Sequence, residues 1–305
     1  MGRVFVLGNA ATDTVLALPR LPLPGETLLG EQAPLAPGGK GLNQALVAAR
    51  AGRSLGVDVF FCAPLGRDAA GDTVVAALAG EGFALLDLPR LDQPTDMSLV
   101  MVMPGGENSI VSAGACAAAL DKDAAALFAA GAGGGDVLLL QGNLSEAATR
   151  AAIGTAADRG ARVMLNTAPL WWSPGSMLSD CAVVVANQGE AEALSGQQMP
   201  AQAADWMCRR GVGLAVVTMG PDGCVTAGAA GTRHWPAMPV ATVDTTGCGD
   251  AFCGMLAVML AANAPLHAAI GTAQRAAAIT AGRRGAYVSL PGADELAAFT
   301  HIVGN

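Results

Sequence analysis

Two acids and two glycines fall within one short stretch, Asp244-Thr245-Thr246-Gly247-Cys248-Gly249-Asp250. It runs directly into the apolar segment Ala251-Phe252-Cys253-Gly254-Met255-Leu256-Ala257-Val258-Met259-Leu260. The pattern reads as a polar loop tightening into the first turn of a long helix over 249–263. A helix start leaves backbone N–H groups without intrahelical partners and carries the positive end of the helix dipole. Such a place suits an anion, phosphate above all. Gly247 and Gly249 remove the side chains that would hold a phosphoryl group away from the backbone. A carboxylate at Asp250 would repel a phosphate at rest, but it has a purpose if it takes a proton from an alcohol attacking phosphorus. The chemistry expected is phosphoryl transfer to a hydroxyl.

A second glycine loop, Gly38-Gly39-Lys40-Gly41-Leu42-Asn43-Gln44-Ala45, opens another helix. It is not a Walker A loop, because Gly41 rather than Ser or Thr follows Lys40. Lysine occurs only at Lys40 and Lys122, against fifteen arginines, so its presence here is not background usage. Bare backbone with Asn43 nearby suits a polyhydroxyl ligand, since Asn both donates and accepts. The bland alternative is an ordinary glycine turn. In Asn187-Gln188-Gly189-Glu190 the acid is either a helix-dipole partner or, with Asn187, a water-mediated contact to a metal–phosphate zone. Thr218-Met219-Gly220-Pro221-Asp222-Gly223 reads as a hairpin turn or as a loop at a nucleotide's edge. Asp13 alone reads equally as a cap or a turn residue.

The elements that must position these residues are legible in the apolar runs. Val137-Leu138-Leu139-Leu140 ends at Gln141, Val163-Met164-Leu165 at Asn166, Val183-Val184-Val185-Ala186 at Asn187, and Leu214-Ala215-Val216-Val217 at Thr218. Helix-like stretches at 145–160, 189–196 and 201–211 lie between them. Fully apolar strands alternating with helices predict an α/β fold whose parallel sheet is covered on both faces. Ligands of such sheets bind beyond the carboxyl ends of the strands, where those polar residues fall. The segments 14–37 and 95–113 are rich in Pro, Gly and alternating residues, with Pro104-Gly105-Gly106 as a turn. They predict either a small β flap or two separate surface hairpins.

Composition narrows the partners. In 305 residues, 52% are apolar and 14% charged, and the net charge is −8. That suits a folded domain with a sizeable core and argues against a nucleic-acid or anionic-membrane partner. Seven dispersed cysteines without a Cys-x-x-Cys, and three scattered histidines, give no zinc pattern and suggest free thiols in a reducing compartment. The N-terminus lacks a signal-peptide pattern. The apolar segment from Ala251 to Gly271 is interrupted by Pro265 and His267, so it predicts a buried helix pair and not a membrane span. A soluble, cytoplasmic protein is expected.

The two glycine motifs resemble the signatures of the ribokinase (PfkB) family of carbohydrate kinases. Asp13, Pro24-Gly25-Glu26-Thr27, Asn187-x-x-Glu190 and Thr218-x-Gly220-x-x-Gly223 agree in order and spacing, and the likeness runs from about residue 4 to Pro291. It implies a single kinase domain over 1–305, a three-layer α/β/α sandwich with a mostly parallel sheet and a β lid from about 14–37 and 95–113. The lid pairs subunits in many members, so a homodimer is implied. So is transfer of the γ-phosphoryl group of Mg-ATP to a sugar hydroxymethyl group. By resemblance Asp250 is the base, with the amides of Gly247, Cys248 and Gly249 as the anion hole. Asp13, Gly39, Lys40 and Asn43 would bind sugar; Asn187, Thr218, Gly220, Gly223 and Gln274 would line the ATP site; Glu190 would organise Mg²⁺. A monovalent-cation site, for K⁺, would involve Asp244, Thr246, Thr280, Arg283, Gly285 and Ser289, several through backbone carbonyls.

Two positions depart from ribokinase-type members: Ala11 replaces an Asn, and Asn143 replaces a Glu at the sugar end. Losing a carboxylate acceptor to a sugar hydroxyl costs roughly 1.5–3 kcal/mol, which bears on ribose as substrate and leaves phosphoryl transfer untouched. Cys248 contributes its N–H, and its thiol at a helix N-terminus is expected to be reactive. The alternatives are a nucleoside kinase of the same fold, a phosphofructokinase using Arg20 and Arg90 for a substrate phosphate, and a catalytically dead sugar sensor.

Overall fold

The computed structural model describes residues 2–104 and 108–300. Among them a nine-stranded sheet runs in the order Arg233–Trp235, Cys224–Gly228, Leu214–Thr218, Val183–Asn187, Arg162–Asn166, Val137–Leu140, Val4–Leu7, Val59–Cys62, Leu85–Asp87. Pairing is parallel throughout, except that Cys224–Gly228 is antiparallel to both its neighbours. Alternate residues of each strand enter different cores. Val4, Val6, Val137 and Leu139 join one cluster with helices Lys40–Leu55, Cys248–Ala261 and Leu266–Ala281. Phe5, Leu7, Leu138 and Leu140 join the other, with helices Lys122–Ala129, Glu146–Asp158 and Pro200–Cys208. Leu138, Leu139 and Leu140 are all fully buried, which only a strand covered on both faces allows. Burial of each stabilises by about 1.5–3 kcal/mol. The result is a three-layer α/β/α arrangement, as expected.

The helices start where the sequence supplies caps. Ser145 accepts from the N–H of Ala148 at 3.2 Å to open Glu146–Asp158. Asn187 and Glu190 form a reciprocal capping box that opens Gln188–Ser195, and Gly196 closes it in the left-handed conformation. Pro200 occupies the first turn of Pro200–Cys208. The apolar segment expected to form a helix pair does so, breaking at Pro265 into two helices that pack against each other. Among the described residues no helix is long and apolar enough to cross a membrane.

A second, mixed sheet holds Asn108–Ala113, Asp96–Val102, Ala11–Ala17, Glu31–Gln32 and Ala36–Gly38. The flap and the two separate hairpins are thereby distinguished. Ala11–Ala17 pairs in parallel with Asp96–Val102 along its whole length, which joins the two segments into one sheet. Its first strand begins at Ala11, ahead of residue 14, so Asp13 lies inside a strand opposite Ala36 and is neither a cap nor a turn residue. Of the expected turn, Gly105 and Gly106 lie outside the described residues.

Candidate functional site

Residues at the carboxyl ends of the main strands converge on the start of helix Cys248–Ala261. Gly247 adopts φ 81°, a left-handed conformation that glycine takes without strain, and no side chain caps the helix. A Cβ at Gly249 would meet only open space, so this mouth is accessible to a ligand. The N–H of Cys248 donates a 3.3 Å turn bond to the Thr245 carbonyl, making it the least available of the three expected anion-hole amides. Its thiol is not activated. Burial first, and the charges of Asp244 and Asp250 next, push it up to about 11, against the expectation of a reactive cysteine.

Asp250, one turn in, is 7% exposed. Its Oδ2 accepts from Asn43 Nδ2 at 3.0 Å and its Oδ1 from Gln44 Nε2 at 3.0 Å. Both donors sit on helix Lys40–Leu55, which crosses Cys248–Ala261 so closely that a Cβ at Gly254 would strike the Gln44 carbonyl. Because a carboxylate only accepts, Asn43 must turn its NH₂ toward Asp250. Its Oδ1 is then left buried and without a partner among the described residues, and so is Asn143 Oδ1. These orphaned acceptors, with Gln141 Oε1 as a third, call for hydroxyl or other N–H/O–H donors, since leaving each unpaired costs about 1–3 kcal/mol.

Asn9, which the sequence motifs did not single out, builds the N-terminal end of that helix. Its Oδ1 accepts from Gly41 N–H at 3.1 Å and its carbonyl from Leu42 N–H at 2.9 Å. Gly39 has φ 94°, and a Cβ at Gly41 would lie 2.6 Å from the Asn9 backbone. Half-buried Lys40 begins the helix. Asp13 reaches this cluster from the small sheet, leaving no room for a Cβ at Gly38. Burial pushes its carboxyl up to about 6, the Ser98 hydroxyl opposes this, and the negative charge of Asp250 adds to it. Asp13, Lys40, Asn43 and Asp250 are therefore one site. Gln44 lies in the second glycine motif, but nothing in its spacing signals a direct bond to Asp250.

The residues expected around ATP and cations are placed as follows. Glu190 accepts from Asn187 N–H, Asn187 Nδ2 and Thr167 Oγ1 at 2.8–3.2 Å, so its carboxylate organises the cap. Thr218 ends its strand and donates at 3.4 Å to the Ala186 carbonyl. Gly220 and Gly223 shape the turn between antiparallel strands, both with positive φ. Gln274 donates at 3.1 Å to the Trp235 carbonyl, tying helix Leu266–Ala281 to the sheet edge. Among the described residues no cluster of three or more His, Cys, Asp or Glu side chains could hold a metal ion. Asp244 Oδ1 accepts from the Thr246 N–H and hydroxyl at 2.9 and 2.7 Å, and its Oδ2 from Gly285 N–H at 2.9 Å. Burial works against its ionisation, but those bonds and the Arg284 charge hold it below the usual carboxylate range. Thr280 and Ala286 flank Gly247, Ser289 donates to the Ala286 carbonyl at 2.7 Å, and the Arg283 side chain is turned away to Glu295. Arg20 pairs with Glu26 and Arg90 with Asp72 and the Gly66 carbonyl, so neither is free to hold a second phosphate.

An α/β sandwich with a buried carboxylate beside an uncapped helix start and orphaned polar acceptors has the layout of a small-molecule phosphotransferase. The family model described as pfkB family carbohydrate kinase matches residues 1–293, and the chain belongs to that family; it is a carbohydrate kinase. Its relatives are ribokinases at about 30% identity. The ribokinase of Haemophilus influenzae is 32% identical over 300 residues, covering 96% of this chain and 97% of its own. The crystal structure of Thermotoga maritima ribokinase superposes with a TM-score of 0.88 at 28% identity, covering 99% of this chain and all of that one. Arabidopsis thaliana ribokinase, solved in complex with ribose and ATP, gives 0.82 at 25% identity, covering 98% and 99%.

Proposed function

We propose that this carbohydrate kinase transfers the γ-phosphoryl group of Mg-ATP to a hydroxymethyl group of a ribose-like sugar. The observation that carries the reading is the pairing of Asp250 with Asn43, whose carbonyl oxygen is buried, unpartnered and adjacent to the carboxylate. Sugar hydroxyls would donate to Asn43 Oδ1, Asn143 Oδ1 and Asp13, with Lys40 and the backbone of Gly39 completing the pocket. Asp250 would accept the hydroxymethyl proton during in-line attack. The amides of Gly247 and Gly249, with Cys248, would face the charge developing on the transferring group.

ATP would lie along the strand ends at Asn187, Thr218, Gly220 and Gly223, with Gln274 behind. Magnesium would arrive with the nucleotide and meet Glu190 only through water, since that carboxylate is committed to its cap. The ionised Asp244 and the carbonyl-bearing loop at Thr280, Arg283, Gly285 and Ser289 fit a monovalent cation such as K⁺. The small sheet would act as a lid excluding water. Its exposed apolar side chains, Leu29, Ile110 and Val111 among them, would seat a second copy. Seven cysteines without a disulfide suit the cytoplasm.

A second reading, a nucleoside kinase, is favoured by one pair of features: small, buried Ala11 and neutral Asn143 at the sugar end. A panel of ribose, deoxyribose, other sugars and nucleosides, read by ADP release coupled to NADH oxidation, separates them. Fastest turnover on a free pentose supports the first reading. A preference for nucleosides replaces it with the second, and sugar binding without any ADP release would return the sensor.

A further inference from the structure

Behind Asp250 lies a chain of buried amides whose order is set from one end. Asn166 Nδ2 donates at 3.1 Å to the backbone carbonyl of Val185, which can only accept. That turns Asn166 Oδ1 toward Gln44, whose Nε2 donates to it at 3.1 Å and to Asp250 Oδ1 at 3.0 Å. From the other side Gln141 Nε2 donates at 2.8 Å to Gln44 Oε1. Gln44 is thus barred from flipping, because the opposite orientation would set its oxygen against two acceptors; Gln141, whose own Oε1 has no partner among the described residues, follows the orientation of Gln44 and tethers its oxygen. Gln44 and Gln141 are wholly buried and Asn166 nearly so, so water cannot substitute for these bonds.

We infer that Gln44, oriented by Asn166 and tethered by Gln141, is a positioning residue that fixes the rotation of the Asp250 carboxylate, holding Oδ1 back and presenting Oδ2 beside Asn43 to the acceptor hydroxyl. The inference rests on the proposed role of Asp250 as base. It follows from the bond count: a carboxylate held at one oxygen by a donor that cannot turn has one oxygen left for the substrate side. Neutral amides suit this task, because they order the carboxylate without bringing a proton that could be lost to it.

The test is the pH profile of kcat, with sugar and ATP saturating, for Gln44→Glu and Gln141→Met beside the wild type. In Gln44→Glu one acceptor would face the Asn166 and Asp250 oxygens, so the two carboxyls share a proton. The acid limb of kcat should move up by about one pH unit or more, as for any close carboxyl pair. Recovery at high pH is expected. A merely structural loss would lower kcat by the same factor at every pH. Asp13 from the small sheet, Cys248 and Cys253 on the same helix, and Lys40 and Glu190, whose charges act on Cys253, are the other titratable groups around this point. They are common to both proteins, so the difference between the profiles isolates position 44.

Gln141→Met keeps volume and removes the tether on the Gln44 oxygen, leaving Gln44 held from the Asn166 side alone. It should lower kcat about five- to tenfold, the worth of one hydrogen bond, with the KM of the sugar within about twofold. If Gln44→Glu does not fold, Gln141→Met decides alone. An unmoved acid limb in the first, or near-wild-type kcat in the second, overturns the inference. Asp250→Asn in the same series keeps the two ideas apart: if it alone is inactive, only the positioning role fails, whereas if it turns over normally the base assignment fails first.

Discussion

Replacing Asp250 with Asn should leave the fold intact and remove most of the turnover, and the bonds around it say why both follow. The carboxylate accepts one bond from Gln44, which cannot flip, and one from Asn43, whose other end is free. The new side chain can therefore keep its oxygen on Gln44 and turn its NH₂ toward Asn43, which reverses to present Oδ1. Both hydrogen bonds survive as neutral ones. Each weakens by about 1 kcal/mol, the usual difference between charged and neutral partners. Removing a buried negative charge beside Asp13 offsets part of this, so the net stability change should stay within about 1 kcal/mol. No proton acceptor remains, so kcat should fall roughly 10²–10⁴-fold, or about 3–5 kcal/mol of barrier. Urea melts measure the first quantity and saturating-substrate turnover by ADP release the second. Turnover within about threefold of wild type would falsify the base assignment. A collapse of stability without a change in the active fraction's rate would refute the flip argument instead.

Asp13 makes stability depend on pH in an unusual direction. Its folded-state value of about 6 lies above the ordinary 3.8, so the folded chain holds this proton more tightly than the unfolded one. That contribution is complete below about pH 4 and is lost as pH rises through 6. Asp13→Asn should therefore be more stable than wild type by about 1–3 kcal/mol at pH 8 and little different at pH 4, as read by denaturant midpoints; an unchanged pH dependence would count against the buried carboxyl. Cys248 should react slowly despite its place at a helix start. With its thiol near 11, labelling by iodoacetamide at pH 7.5, followed by mass spectrometry, should run at least about tenfold below a free cysteine. Fast labelling would mean that the helix dipole outweighs burial and the two carboxylates.

Much of this molecule was written in short stretches of sequence. The alternation that sends Val4 and Val6 to one core and Phe5 and Leu7 to the other, the caps at Ser145 and Asn187, and the positive φ of Gly39 and Gly247 are decided within a few residues. Local sterics and local hydrogen bonds encode them, so a reader of the sequence can recover them. Both glycine motifs, and the polar residues ending each strand, were legible for the same reason. What the chain order could not reveal is which buried polar atoms meet. Asn43 and Asp250 are 207 positions apart, and whether Gln44 offers its nitrogen or its oxygen depends on a carbonyl at Val185 that turns the Asn166 amide. Arg20 and Arg90 are likewise taken up by Glu26 and Asp72, a pairing that the chain order does not reveal. Orientation in a buried network is set by partners brought together from distant elements, each excluding the alternatives of the next. That information exists only once the two helices and the strand ends are packed against one another.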